Sequence, residues 1–537
     1  MGSSEYDEKS SRPEDVHHVE VSSKEVDTAA ALVGDAGEID PVEAIRIRKK
    51  IDRHILPLMC VLYWVQFMDK TTLGSSAILG ITTATHLTTN QCALGTIFYL
   101  SYLVFEYPQN LALQKFPVGK WMSVNIFVWS IALCCHAACT NFAGLFIVRL
   151  ILGMCEGSIT AGFMIVSSMF YTRNEQTLRV GYWFLMNGTA QIISGFISFG
   201  SLHIHTSNFE PWQWYGNLIP LSIFIHHPRA YLLHRRLMII TGAITFVTAI
   251  CFFLFFPDSP TNAWFLTPEE RALAVMRIKE NQTGVENKHF KKEQMIEALL
   301  DPKTWMFALF SALDNVPNSL TNQRALIVSS FGFTNLQTTL LGCVDGFVEI
   351  VTIWTGVNIA ARFPNSRAYV GTVYFIPNLV GVIIINTLPW SDKVGLLFGQ
   401  WLTGVGTTGF VLSLSWLSSV TAGHTKRITT NAIMLCAYCI GNAAAPFMWQ
   451  AKYKPRRNHV PWTIIGICYG VCMLLLLAIR FHLHRQNQSR DLEPHDDRYD
   501  DVYIERVNED GTIDEIKVEK EFLDLTDKQN RDFRYVL

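Results

Sequence analysis

Residues 461–482 read PWTIIGICYGVCMLLLLAIRFH, an apolar run that contains a single charged residue, Arg480. A helix rises about 1.5 Å per residue, so roughly 20 mostly apolar residues are enough to cross the hydrocarbon core of a bilayer. This run is long enough to do so. It therefore predicts a membrane-spanning helix near the end of the chain.

Eleven further runs of similar length and composition precede it. A buried core of a soluble protein is the alternative interpretation, but such cores do not contain a dozen runs of this length. The sequence predicts an all-α membrane protein with twelve transmembrane helices. The predicted spans are 55–79, 91–112, 122–140, 143–169, 180–202, 237–256, 305–330, 339–360, 369–389, 394–418, 428–449 and 461–482.

The composition agrees with this fold class. Of the 537 residues, 49% are hydrophobic and 17% are charged, whereas soluble domains carry about 25% charged residues. The charges are concentrated in residues 1–43 and 485–537. The net charge is −2, and no basic stripe with interleaved aromatic residues is present, so we expect no nucleic-acid partner. Most of the twelve cysteines lie within apolar runs, which is typical of buried hydrophobic side chains.

The loops between the runs predict the orientation, because cytoplasmic loops are rich in Lys and Arg. The segment before span 1 reads IRIRKKIDRH, and the loops after spans 1 and 3 contain neither Lys nor Arg. Both termini are therefore predicted to be cytoplasmic. The loop AKYKPRRNH after span 11 is an exception. Basic residues follow the even-numbered spans, among them Lys115, Lys120, Arg173, Arg179, Arg362, Arg367, Lys426, Arg427, Arg485 and Arg490.

The long loop 257–302 separates six spans from six. Within it, Thr267-Pro268-Glu269-Glu270 combines a helix N-cap, a proline at the first helical position and a capping-box glutamate. A short amphipathic helix to about Glu280 is predicted. Two six-helix halves are the layout of major facilitator superfamily transporters, whose substrate site lies between the halves. The predicted parts are a disordered cytoplasmic N-tail (1–43), an N-terminal half (44–256), a cytoplasmic linker (257–302), a C-terminal half (303–484) and an acidic cytoplasmic C-tail (485–537).

Several motifs carry a more specific resemblance, and they extend from about residue 44 to residue 484. They include YWVQFMDKTTLGSSAILGI in span 1, RLILGMCEGSITAGFMIVSSMFYTRNEQTLR from span 4, FPDSPTNAWFLTPEER in the linker, GHTKR at 423–427 and YKPRRNHVPW at 453–462. In these motifs the chain resembles the anion:cation symporter family, in the fungal branch that includes allantoate, nicotinate and pantothenate permeases. The resemblance implies the major facilitator fold and transport of a small organic anion.

The chain departs from that family's pattern at three places. Ala161 stands where relatives usually have proline, and Asn318-Ser319-Leu320 replaces an Asn-Gly-Gly, which removes a flexible backbone point. Residues 215–236 interrupt a stretch that should be nearly continuous. We interpret this segment as an intron-like insert, and a genuine loop insertion is the alternative.

Ionisable side chains within spans are costly, so each calls for a function or a partner. Asp69 and Lys70 are adjacent in span 1 and cannot face the same way. The resemblance to the Asp-Arg-x-Asn pattern of the wider organic-anion transporters places Lys70 at the basic position. It implies that Lys70 binds the substrate anion, while Asp69 acts in helix packing, gating or proton coupling.

Arg149 and Glu156 in span 4 are seven residues apart and so share one helix face, about 10 Å apart. We expect both to face a central cavity, with Arg149 binding substrate and Glu156 coupling transport to a proton. A position near the end of the span is the alternative for Arg149. Asp314 in span 7 is a further candidate for proton coupling.

Asn187 and Gln191 in span 5 are four residues apart and share a face. They are candidates for hydrogen bonds to a ureido or amide group of the substrate, and helix–helix contacts are the alternative. Tyr63 is a further candidate for the pocket, although tyrosine also anchors helices at membrane interfaces.

Together these residues predict a proton-coupled symporter that imports a small organic anion, with allantoate or another ureido acid as the leading candidate. The alternatives are a uniporter or exporter of the same fold, or a nutrient sensor that signals through its tails. We find no nucleophile elbow, metal-ligand spacing or phosphate loop, so an enzyme, a cofactor and a bound metal are not expected. The protein is expected to be a monomer in the plasma membrane, with the substrate, protons and lipid as its partners.

Overall fold

The computed structural model describes residues 19–20, 39–78, 91–136, 138–139, 142–203, 233–279, 281, 287–494, 499, 502–507, 513–518 and 520–537. Nearly all of the predicted N-tail and most of the predicted insert 215–236 lie outside these residues. The last four residues of the insert form the first turn of a helix that begins at Leu233.

The N-terminal half is a bundle of long helices. Its first helix is far longer than the predicted span, because the charged segment before residue 55 continues the same helix. The helices are α1 (Pro41–Ile78), α2 (Gln91–Lys115), α3 (Val118–His136), α4 (Phe142–Phe170), α5 (Arg173–Phe184), α6 (Met186–His203) and α7 (Leu233–Phe255).

The linker forms two short helices. As the sequence predicts, Thr267 and Glu270 form a reciprocal capping box, with Thr267 N donating to Glu270 Oε2 at 2.9 Å and Glu270 N donating to Thr267 Oγ1 at 3.3 Å. These helices are α8 (Pro268–Lys279) and α9 (Lys292–Leu300). We call the end of the bundle that carries them the linker face.

The C-terminal half repeats the pattern of long helices, and two of its predicted spans are broken. Pro317, which lacks an N–H group, begins a 3-10 turn over Pro317–Ser319 that interrupts span 7. The helix is thus interrupted although the expected glycines are missing. Its helices are α10 (Pro302–Asn315), α11 (Leu320–Ser330), α12 (Asn335–Arg362), α13 (Arg367–Thr387), α14 (Lys393–Leu402), α15 (Thr407–Ser419), α16 (His424–Ala444) and α17 (His459–Asp491).

Every predicted span contains helix in the described residues, but not every helix is long and apolar enough to qualify alone. Among the described residues, six helical segments meet both criteria for crossing a membrane: Val118–His136, Phe142–Phe170, Leu336–Arg362, Arg367–Thr387, His424–Met448 and His459–Asp491. The membrane part is therefore all-helical, and the number of twelve crossings stays a prediction.

The two halves pack against each other through α6 on α12 and through α2 on α16. The first contact is made by glycines, because a Cβ atom on Gly188 would lie 2.4 Å from the carbonyl oxygen of Gly346 and 2.7 Å from Ile350 Cγ1. Real Cβ atoms essentially never approach other atoms this closely. Gly188 thus allows the backbones of the two halves to touch.

Replacing Gly188 with alanine is expected to lower the free energy of unfolding by about 1–3 kcal/mol, because the added methyl group overpacks this contact. Gly342→Ala in α12 is the matched control, since a Cβ there meets no atom within 4 Å. It should be neutral or slightly stabilising, because alanine favours a helix by about 1 kcal/mol over glycine. Thermal unfolding of the purified variants in detergent would compare them. Equal midpoints for the two variants would contradict a tight contact at Gly188.

The C-tail is structured in part, and the sequence did not predict this. Strands β2 (Val502–Val507) and β3 (Ile513–Val518) form an antiparallel hairpin, and strand β1 (Val19–Glu20) pairs with β2 in parallel. Residues 520–537 then lie against the linker face.

This last segment is anchored by a buried ionic cluster. The Asp527 carboxylate is fully buried and lies 2.8 Å from Lys303 Nζ and 2.8 Å from Lys426 Nζ. It also accepts a hydrogen bond of 2.7 Å from the Tyr535 hydroxyl. We call Asp527, Lys303, Lys426 and Tyr535 the Asp527 cluster. Residues 520–537 are therefore packed against the bundle and are not simply solvated.

The same segment also reaches the N-terminal half. Arg173, at the start of α5, donates to the carbonyl oxygen of Arg534 at 3.1 Å and stacks over the Phe533 ring. The backbone N–H of Leu537 donates to Asn365 Oδ1, between α12 and α13, at 3.0 Å. The tail therefore contacts both halves at one end of the bundle.

Candidate functional site

A cavity of about 140 Å³ lies between the two halves. For comparison, a cavity of about 150 Å³ in another protein holds one benzene molecule. The volume therefore favours a small ligand. Much of the wall is aromatic, with Tyr63, Phe67, Tyr99, Tyr102, Phe184, Phe410, Tyr438 and Tyr469 among the lining residues.

The N-terminal half contributes one ion pair to this cavity. Lys70, which lines the cavity from α1, places its Nζ 2.6 Å from Oε1 of Glu156 in α4. Glu156 is fully buried, and its Oε1 also accepts a hydrogen bond of 2.7 Å from Gln66 Nε2. Burial strengthens such an attraction but makes either charge costly if it is left alone. The charge of Lys70 and the charge of Glu156 therefore stabilise each other in this buried position.

Asp69 faces away from this pair, as its position next to Lys70 requires. Its Oδ2 accepts a hydrogen bond of 3.2 Å from Trp129 Nε1, which lies in α3. Asp69 is buried and is absent from the described residues that line the cavity. It lies at a contact between helices of the N-terminal half.

The structure corrects the expected position of Arg149. Arg149 is buried, and the nearby acids that act on it are Asp69 and Glu156, but among the described residues it does not line the cavity. Glu156 does not line it either. It reaches the cavity only through Lys70 and Gln66. Arg149 and Glu156 thus share one helix face and the same charged surroundings, but neither side chain is among the described lining residues.

Asn187 and Gln191 both line the cavity, as expected from their shared helix face. Gln191 Nε2 donates a short hydrogen bond to Glu349 Oε2 in α12 of the C-terminal half. Gln191 therefore connects the two halves at the cavity wall. Asn187 is 5% exposed, and its side-chain oxygen has no hydrogen-bond partner among the described residues.

Tyr63 lies in the cavity wall and not at a membrane interface, the other position that the sequence left open. It lines the cavity and packs against Trp183 and Phe184, with ring centroids 4.6 Å and 5.0 Å away. It is 7% exposed, so it does not anchor the helix at a membrane interface. Tyr63 is part of the aromatic wall.

The C-terminal half adds charged side chains beyond the predicted site residues. Arg324 Nη1 lies 3.1 Å from Asp345 Oδ1, and both Arg324 and Glu349 line the cavity. Asp345 and Glu349 are four residues apart, so helical spacing alone places them on one face of α12. That spacing is the signal that could have identified them. No sequence signal indicates that Glu349 meets Gln191.

Asp314 lines the cavity from the end of α10, where the 3-10 turn follows. Within the described part of the chain, its carboxylate has no hydrogen bond and no ion pair. It is therefore an acid that a ligand or a proton can reach. The described residues contain no group of three or more His, Cys, Asp or Glu side chains able to hold a metal ion.

The arrangement is suited to binding and release. The cavity has paired charges on opposite walls, acceptors without partners and no group arranged as an activated nucleophile among the described lining residues. A small charged molecule can exchange ion-pair partners in such a site without covalent chemistry.

Comparisons with known proteins agree with this description. Residues 59–446 match the family model described as Major Facilitator Superfamily. The chain is 34% identical to a thiamine pathway transporter of Saccharomyces cerevisiae, over 91% of this chain and 86% of that protein. It is 31% identical to an allantoate permease of the same yeast, over 96% and 91% of the two chains. The solved structure of the proton:xylose symporter XylE superposes with a TM-score of 0.61 at 12% identity, covering 79% of this chain and 94% of that one.

Proposed function

Because the chain belongs to the Major Facilitator Superfamily and is a multi-pass membrane transporter rather than an enzyme, we propose that it is a proton-coupled symporter that imports a small organic anion. The observation that carries this proposal is the ion pair between Lys70 and Glu156 at the cavity wall. It places a cation able to bind a carboxylate beside a buried acid able to bind a proton.

Coupling follows from competition for Lys70. A substrate carboxylate that binds Lys70 displaces Glu156, and the buried Glu156 then takes up a proton because an unpaired charge is costly there. Release of the substrate lets Lys70 pair with Glu156 again and expels the proton. The substrate and the proton therefore move together.

Coupling to a proton offsets the electrical work of moving an anion into the cell. An inside-negative membrane potential opposes the entry of an anion by about 2.3 kcal/mol per charge for each 100 mV. One proton moving with each monoanion cancels that penalty, and a pH gradient then drives accumulation. This proposal includes the orientation predicted from the basic loops, in which the linker face is cytoplasmic. It also includes the expected location in the plasma membrane.

For the substrate, we propose the ureido acids, with allantoate first. The similarity to an allantoate permease supports this class, and so do the amide groups of Asn187 and Gln191 at the cavity. A thiamine pathway transporter is similar to this chain to a comparable degree, so sequence identity alone does not select the substrate. A panel of organic acids offered to a permease-deficient yeast that expresses the protein would identify the substrate. A uniporter or an exporter would give no accumulation that a protonophore abolishes.

The coupling role of Glu156 is tested by Glu156→Gln, which keeps the shape but cannot carry a proton as a carboxyl group does. We expect uptake in this variant to lose its dependence on external pH and to stop at equilibration, because Lys70 is free whether or not a proton binds. The measurement is accumulation of the labelled substrate at several external pH values.

Glu106→Gln is the matched control, because Glu106 is equally buried in the same half but is hydrogen-bonded by Asn110 and is absent from the described cavity lining. It should keep pH-dependent accumulation. If Glu156→Gln accumulates substrate with unchanged pH dependence, Glu156 is not the coupling acid.

A further inference from the structure

The cavity wall of the C-terminal half is rich in hydrogen-bond acceptors. Asp314 has no partner among the described residues, and Glu349 receives a hydrogen bond from Gln191. Arg324 is the one basic side chain of this half among the described lining residues, and it is already paired with Asp345. The wall therefore attracts N–H donors and repels a second carboxylate.

Two buried amides add acceptors without partners. Asn187 is 5% exposed and Gln66 is 3% exposed, and within the described part of the chain the side-chain oxygen of each lacks a hydrogen-bond partner. Both residues line the cavity. Buried polar atoms are almost always hydrogen-bonded, so these oxygens indicate that a ligand supplies donors here.

We propose that Asp314, Glu349 and Asn187 form a second subsite, which binds the N–H groups of a ureido or carboxamide group at the substrate end opposite the carboxylate. This inference rests on the proposed function, in which Lys70 holds that carboxylate. The substrate then lies across the cavity with one end on each half.

A buried donor of Arg324 on the same wall favours a ureido or carboxamide group over an ammonium group. Arg324 Nε is buried and has no hydrogen-bond partner among the residues that the structure describes. A ureido or carboxamide group carries a carbonyl oxygen that accepts from Arg324 Nε, whereas an ammonium group has three donors and no acceptor. The wall thus matches several N–H donors together with one acceptor.

The test compares two acids of nearly the same shape. N-carbamoylglycine and 4-oxopentanoate share the carboxylate and the carbonyl group, but the two nitrogen atoms of the first are carbon atoms in the second. We expect full-length protein in proteoliposomes to take up N-carbamoylglycine about 10- to 100-fold faster at low concentration, because each N–H group that meets a charged acceptor contributes strongly to binding. Asp314→Asn and Glu349→Gln are each expected to lower this ratio.

The ratio of the two rates does not depend on how much protein is active, so partial misfolding of a variant does not mimic the result. Asp491→Asn, an exposed position outside the cavity, is the control and should keep the wild-type ratio. Stabilisation of each purified variant by N-carbamoylglycine in a thermal shift assay gives a second readout that needs no transport.

Equal uptake of the two acids by the wild type would overturn the subsite while leaving proton-coupled transport intact. Unchanged ratios in folded Asp314→Asn and Glu349→Gln would also overturn it. A preference of the same size for β-alanine over N-carbamoylglycine would show that the wall binds an ammonium group instead. If neither acid is accumulated along a proton gradient, the proposed function itself fails, and the subsite fails with it.

Discussion

Replacing Lys70 with glutamine is expected to reduce the initial rate of substrate uptake by roughly 100-fold, which corresponds to about 2.7 kcal/mol of lost binding. Two effects act in the same direction. The cavity loses the cation that holds the substrate carboxylate, and Glu156 keeps a buried charge without its ion-pair partner, although Gln66 still donates a hydrogen bond to it. Removal of one partner from a buried ion pair typically costs about 3–5 kcal/mol.

Lys49→Gln is the matched control, because it removes the same charge from an exposed position on the same helix. It should transport at the wild-type rate when uptake is normalised to the amount of protein in the membrane. The double variant Lys70→Gln/Glu156→Gln separates the two effects, since it removes both charges. We expect it to regain thermal stability but not uptake. Uptake by Lys70→Gln above a third of the wild-type rate would rule out Lys70 as the main anion-binding group.

The second large effect is expected at the other end of the bundle. Asp527→Asn should lower the free energy of unfolding by about 3–5 kcal/mol, because both buried lysines lose a close ion pair. Lys426 still pairs with Glu297 and Asp301, whereas Lys303 keeps a longer contact of 3.8 Å to Asp301. Asp491→Asn makes the same chemical change in an exposed pair with Arg534 and should alter stability by less than about 1 kcal/mol. Thermal unfolding in detergent, together with limited proteolysis of residues 520–537, would compare the two variants. Similar midpoints for both would contradict a stabilising role of the Asp527 cluster.

The pH dependence of this effect has a definite sign. Burial by itself would raise the pKa of Asp527, but the ammonium groups of Lys303 and Lys426 outweigh burial and hold the pKa below its ordinary value. A carboxyl group with a lowered pKa stabilises the fold above its unfolded pKa of about 3.9 and loses that contribution as the pH falls toward the folded value. The stability difference between wild type and Asp527→Asn should therefore stay constant from about pH 5 to pH 8 and shrink below about pH 4.

Features that depend on neighbouring residues could be predicted from the sequence. The capping box of Thr267 and Glu270 involves residues three positions apart, and the shared face of Asn187 and Gln191 follows from helical spacing. The opposite directions of Asp69 and Lys70 also follow from local geometry. These features need no knowledge of how the helices are arranged.

Features that join distant parts of the chain could not be predicted in the same way. The charge of Lys70 was assigned to the anion from the family pattern, but its contact with Glu156 depends on how α1 packs on α4. Helical spacing placed Arg149 on the same face as Glu156 without showing that the helix is turned so that Arg149 stays outside the cavity. The contact between Gln191 and Glu349 depends on the packing of one half on the other.

The docking of residues 520–537 could not be predicted for a related reason. A segment rich in Asp, Glu, Lys and Arg is usually solvated, because isolated charges are expensive to bury. Here the lysines that make burial of Asp527 possible lie more than a hundred residues away, at the starts of α10 and α16. Composition alone contains no sign of that pairing.

Because one carboxylate in the Asp527 cluster serves two ammonium groups, positions 303, 426 and 527 are not independent during evolution. A relative that loses the acid at position 527 leaves Lys303 with its longer contact to Asp301 (3.8 Å), while Lys426 still pairs with Glu297 and Asp301. We therefore expect such a relative to carry a neutral residue at position 303, or a new acid nearby. Family members that keep all three residues are expected to dock the tail in the same way. Family members in which the three positions vary independently would have a tail that the Asp527 cluster no longer holds.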